Sequence, residues 1–152
     1  MDRKQIKKQI IEIVQDMKKQ IGQDKLGELF AKDAGSNFKI GCNQFRDIAS
    51  ICHQADCYEE VKLLVQYSTA KANRNVSWKT PLQSDPKKNF GDLVIDCMDE
   101  IRKIDPSQEL YLLELYFGYL YWQTRIWSEA ASNDSSKQGK SQTNYKTKTS
   151  RK

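Results

Sequence analysis

Two short polar stretches carry the residue types that hold phosphate. The first, "KIGCNQFR" (residues 39–46), supplies Lys39, Asn43, Gln44 and Arg46. The second, "AKANRN" (70–75) and the loop behind it, supplies Lys71, Asn73, Arg74 and Lys79. Arginine offers a planar fork of donors that matches phosphate oxygens, and Asn and Gln can bond ribose hydroxyls. A helix start beside them adds backbone N–H groups and a partial positive charge. There is also an ordinary explanation for the second stretch, because cations suit the negative end of a helix dipole. The choice turns on whether the two stretches meet in space.

Other chemistry is poorly represented. "CHQADC" brings Cys52, His53 and Cys57 together, but the spacing fits no closed four-ligand zinc pattern. Its cysteines and Cys42 and Cys97 form no CxxC pair, so they are expected to be reduced core or interface residues. The chain has one histidine, no glycine-rich phosphate loop and no recognisable Ser/His/Asp set. Asp96, Asp99 and Glu100 line up as the polar side of an amphipathic helix. A noncatalytic protein without cofactor or metal is expected.

The elements that must position the two stretches read as helices. Ile6, Ile10, Ile13, Val14, Met17 and Ile21 recur at helical spacing, and a short helical piece, "DKLGELFAK", follows. A helix begins near Asn43, with Phe45, Ile48, Ala49 and Cys52 on one face. After a turn at "QADC", another carries Val61, Leu64, Val65, Ser68 and Ala72 to about residue 74. So short a connection predicts antiparallel packing of these two helices. The start of the first and the end of the second then belong at one end of the bundle. "NVSWKTPLQSDPKKN" is a loop on its prolines and turn formers. Phe90, Leu93, Val94, Cys97, Met98, Ile101 and Ile104 mark the next helix. In "DPSQEL", Asp105 is the N-cap, Pro106 the first helical residue and Gln108 the partner that completes a capping box. The helix that follows is apolar or aromatic around most of its girth and ends near Trp127.

The fold expected is all-α: a compact bundle of about five helices over residues 1–128, then a disordered basic tail over 129–152. The tail has almost nothing to bury. With 152 residues, 38% hydrophobic and 30% charged, the chain is long enough for one domain with a real core. No apolar run reaches the ~20 residues that cross a bilayer, and the start interleaves charge with apolar residues unlike a signal peptide. A cytoplasmic protein with no membrane partner is expected.

The net charge of +5 is misleading as a guide to partners. Of the 25 Lys and Arg and 20 Asp and Glu, residues 130–152 take six and one, leaving 19 of each in the body. Charge location is therefore the informative quantity. Residues 71–88 hold five basic side chains and one acidic, whereas 89–129 hold three and eight. The body is electrically two-faced.

Taken in order, "CNQFRDIASICHQA", "EEVKLLVQYSTAKANRN" and "MDEIRKIDPSQELYLLELYFGYLYWQTRIW" resemble the small subunit of type III-A CRISPR effector complexes. The resemblance spans roughly residues 40–127 and follows helix order and spacing more than identity. Arg46 and Arg74 fall on that family's two basic positions. "AKANR" lacks the glycine usual before the arginine, Cys-Asn-Gln stands where Thr or Ser is common, and the tail is extra. The resemblance implies a noncatalytic subunit of an antiviral ribonucleoprotein that stacks in copies along a filament. It implies contact with guide RNA and target RNA through phosphate and sugar, and with the large signature subunit and backbone subunits. Phosphate contacts position a strand without reading its sequence, and an array of weak sites on one strand gains strength. A helical protein–protein adaptor and the small subunit of a type III-B complex are the alternative readings.

Overall fold

The chain opens with a closed helix cap. In the computed structural model, the Asp2 carboxylate accepts the Gln5 N–H at 2.9 Å, and the Gln5 side chain accepts the Asp2 N–H at 3.0 Å. The helix so started, α1, spans Arg3–Ile21 and buries Ile10, Val14, Met17 and Ile21 along one face. It stops at Gly22, whose φ of 107° a side chain would resist. The structure describes residues 1–32 and 36–143, the stretch 131–143 as backbone only.

Five long helices and one single-turn helix form the body of the described residues. After α1 come α2 (Leu26–Leu29), α3 (Asn43–Gln54), α4 (Tyr58–Ala70), α5 (Phe90–Arg102) and α6 (Glu109–Thr143). The all-α bundle expected from periodicity is the fold found. One small sheet was not foreseen: β1 (Phe30–Ala31) pairs in parallel with β2 (Ile40–Gly41), Phe30 opposite Ile40. Strands of two residues carry no alternation to read.

Helix α6 is the axis of the bundle, with α1, α2, α3 and α5 all laid against it. Leu112, Leu113, Tyr116, Phe117 and Leu120 are buried there. Asp105 starts the turn before it, accepting the Ser107 N–H at 3.2 Å and hydroxyl at 2.7 Å. Gln108 donates to the other Asp105 oxygen at 2.9 Å, so the expected box closes through side chains rather than through the Asp105 backbone. These bonds, Ser107 foremost, hold the Asp105 carboxyl below its ordinary value. The helix expected to end near Trp127 continues to Thr143. No proline follows Trp127, and each residue added to a formed helix gains a hydrogen bond without a new nucleation cost. Of the tail expected to be disordered over 129–152, residues 144–152 lie outside the described residues.

Helices α3 and α4 are less of a pair than their short connection suggests. Helix α3 lies chiefly along α6, and α4 along α5. Arg46 sits over the Tyr121 ring and His53 reaches Glu114, so α3 runs antiparallel to α6. Beneath the end where α3 starts, four aromatic rings meet. Phe90 lies 5.5 Å from Phe30, 6.1 Å from Phe45 and 5.4 Å from Trp78, centroid to centroid. Trp78 comes from the segment read as loop, where a 3-10 turn (Ser77–Lys79) places it in the core.

Helices α4 and α5 approach closely at Gly91. A Cβ there would overlap the Thr69 hydroxyl and lie 2.9 Å from the Thr69 Cβ. Gly91→Ala is therefore expected to destabilise the protein by about 1–3 kcal/mol through overpacking. Adding Thr69→Gly should recover part of that loss, measured by urea unfolding. An alanine variant at least as stable as the parent would show that the helices can separate freely.

Candidate functional site

The "AKANRN" stretch begins where α4 stops. Lys71 is the C-cap, its N–H bonded back to Thr69 and Tyr67. The chain then turns from Asn73 to Val76, closed by the Val76 N–H to the Asn73 carbonyl at 3.4 Å. Asn75 takes φ 60° in that turn and Ser77 takes φ 56°. Asparagine tolerates the left-handed region better than most residues, so backbone geometry accounts for Asn75. The other polar residues of the stretch need a different account.

Several of them face one groove. Asn73 Nδ2 donates to the Asn37 carbonyl at 3.3 Å, which ties the turn after α4 to the loop before β2. Trp78 Nε1 donates to Gln44 Oε1 at 3.2 Å, tying the next turn to the first residues of α3. Between these ties lies a groove of about 320 Å³ lined by Asn37, Gln44, Lys71, Asn73, Ser77 and their neighbours. The two polar stretches therefore meet at one bundle end. A second cavity of about 350 Å³, lined by Lys25, Phe38, Asn75 and Thr80, opens beside the same turns.

The eight residues singled out in the sequence divide. Gln44, Lys71 and Asn73 line the groove. Asn43 is the first residue of α3 and half-buried, Arg74 is exposed in the turn, and Lys79 is half-buried on the 3-10 turn. Lys39 reaches away, its Nζ 3.3 Å from the Gly27 carbonyl. Arg46 also leaves the groove and stacks over Tyr121 of α6, 5.4 Å from the ring centroid. Its position on α3 turns it toward the α6 flank, which helix periodicity without a packing partner does not specify. Lys71 lies 4.9 Å from the Tyr67 ring centroid, a contact that leaves the ammonium near water. Sequence reasoning missed Ser36, Asn37, Ser77 and Trp78 as groove residues, since loops bring them there. The one signal was the cluster of turn formers around them.

The basic loop is partly neutralised. Lys88 Nζ meets Asp96 of α5 at 2.8 Å, and this hydrogen bond holds the lysine above its ordinary pKa. The contrast between the basic loop and the acidic helices is therefore partly an internal pairing.

The cysteines differ in burial. Cys42, Cys52 and Cys97 are buried and Cys57 is exposed. Burial pushes the Cys52 and Cys97 thiols up to about 12, so neither is an activated nucleophile at neutral pH. His53 turns to Glu114, Nδ1 to Oε1 3.3 Å, while Cys52 faces the core. No group of three or more His, Cys, Asp or Glu is arranged to hold a metal among the described residues. At the far end of α4, the Tyr58 hydroxyl donates to Asp99, and Arg102 lies 3.7 Å from the Tyr58 ring centroid. Arg102 also bonds Glu109 at 2.9 Å, so α4, α5 and α6 are pinned together. Burial, foremost, raises the Tyr58 phenol well above its ordinary value, as suits a structural donor.

Fold and groove together define an all-α bundle with a polar concavity at one end, and no helix among the described residues is long and apolar enough to cross a membrane. Comparison with family models, curated proteins and solved structures returns no match.

Proposed function

We propose that this chain is a noncatalytic RNA-binding subunit that holds a strand by its sugar–phosphate backbone at the groove end of the bundle. The carrying observation is the meeting of Asn37, Gln44, Lys71 and Asn73 around one groove beside the start of α3. Amide groups for ribose hydroxyls, a cation for phosphate and a helix N-terminus in one concavity suit a backbone without selecting a base. Arg74 stands exposed in the adjoining turn, and Arg46 extends the cationic surface toward α6.

Together with the helix order and the basic positions at 46 and 74, this supports a finer reading. The chain acts as the small subunit of a type III-A CRISPR effector complex, in the cytoplasm, stacked in copies beside guide RNA and target RNA. Its protein partners are then the large signature subunit and the backbone subunits. With 19 basic and 19 acidic residues in the body, one copy neutralises few phosphates, so the assembled complex is the species that binds.

Reconstituting such a complex with and without this subunit tests the reading. Omission should weaken target-RNA binding at fixed salt, and adding the subunit back should restore it. Equal affinity with and without the chain would refute the role, and failure to co-assemble would refute the finer reading.

A further inference from the structure

The longest helix leaves one face uncovered. On α6, Trp122 and Ile126 are 62% and 60% exposed, and Tyr111 is 37% exposed. At about 100° per residue, these three share a stripe with Leu115 and Gly118. A Cβ built on Gly118 would have nothing within 4 Å, so the stripe has a shallow gap at its middle. Trp122 is steadied by Tyr119, with ring centroids 5.7 Å apart. Leu115 and Gly118 are half-buried, and an apolar strip whose Trp122 and Ile126 stand mostly in solvent marks an interaction surface.

The order of residues along this strip indicates the occupant. Tyr111 and Trp122, Leu115 and Ile126, and Glu114 and Arg125 are each related as i and i+11. That spacing returns to nearly the same side of a helix. Suppose two such helices lie antiparallel about a twofold centred between Gly118 and Tyr119. Tyr111 of each then faces Ile126 of the other, and Leu115 faces Trp122, with the Gly118 gap at the crossing. The twofold also sets each flank against the same flank of the partner. Glu114 and Arg125 share a flank, so each carboxylate, bonded on one side to His53 of its own chain, comes within a turn of the other copy's guanidinium. Arg46, held over Tyr121, adds a second cation to that flank. A face that is complementary in shape and charge to itself when reversed fits a second copy. Nothing of the kind is required of a face for an unrelated protein or for RNA.

We infer that two copies of this chain pair antiparallel through the outer face of α6, with Trp122 seated between Leu115 and Gly118 of the other copy. This is a closed twofold contact and differs from head-to-tail stacking, which uses two unlike faces. The residues that line the groove lie outside α6, so the apolar stripe is separate from it, and Arg46 alone is shared with the surface proposed for RNA.

Sedimentation equilibrium of the full chain across a micromolar concentration series tests it, with circular dichroism to check each variant's fold. The parent should show a reversible monomer–dimer equilibrium. Trp122→Glu should weaken pairing by on the order of a hundredfold, because each substitution enters a twofold interface twice. Glu114→Arg should also weaken it, and combining that change with Arg125→Glu should restore it to near the parent. A strictly monomeric parent overturns the inference, even if the face captures RNA or another protein. So does a dimer indifferent to Trp122→Glu, or a double reversal no better than the single change.

Discussion

Phe90→Ala should lower the unfolding free energy by about 3–5 kcal/mol, the ordinary cost of deleting a fully buried phenyl group. Phe90 has 0% exposure and touches Phe30, Phe45 and Trp78 at ring-contact distance. Aromatic pairs of this kind contribute about 0.5–1.5 kcal/mol each beyond their buried area. A domain of this size holds roughly 5–15 kcal/mol in all, so the variant should approach the threshold of folding. The consequence reaches the groove. Trp78 packs on Phe90 and holds Gln44 in place, so the cavity left by alanine loosens the wall nearest α3. Urea unfolding gives the stability change. Phe90→Leu, which keeps most of the volume, should cost less. A loss below about 1 kcal/mol for alanine would show that the cluster collapses readily and is not the keystone of this end.

On the proposed RNA-binding role, replacing Arg46 and Arg74 together by alanine should weaken RNA binding by the assembled complex by on the order of a hundredfold, about tenfold for each lost charge-assisted contact. The two lie on separate elements, Arg46 against α6 and Arg74 in the turn after α4, so their effects should add. Each lost phosphate contact should also flatten the salt dependence by about 0.7 on a single strand. The loss should be alike for unrelated sequences, because a phosphate contact carries no base information. Titrating two strands of different sequence at several salt concentrations checks all three expectations. A loss confined to one sequence would mean that an arginine reads a base edge. A loss confined to Arg74→Ala would leave Arg46 with its place over Tyr121 and no part in binding.

Helix periodicity exposed most of the fold and only part of the site. The apolar repeats place α1, α3, α5 and the start of α6 close to where they lie, because an amphipathic helix must turn one face inward wherever the core is. The end of α4 was less legible. The sequence keeps its apolar repeat as far as Ala72, but the helix stops at Ala70, ahead of the turn that carries a left-handed Asn75. Turn geometry of this kind depends on what the loop packs against, here Trp78 in the core.

The sequence by itself determined the all-α class, the order of the long helices and the presence of two polar stretches suited to phosphate. Residue type, capping chemistry and a 3.6-residue period are local properties, and they suffice for those conclusions. Only the tertiary structure decided which polar residues share a groove. It sends Arg46 over Tyr121 and Lys39 to the Gly27 carbonyl, and it brings Asn37 to Asn73 across a loop. It also decided that α3 lies along α6 rather than chiefly against α4. The physical reason is common to all of these. A side chain's direction follows from the packing partner of its helix, and that partner is chosen by the whole core rather than by its nearest neighbours in sequence.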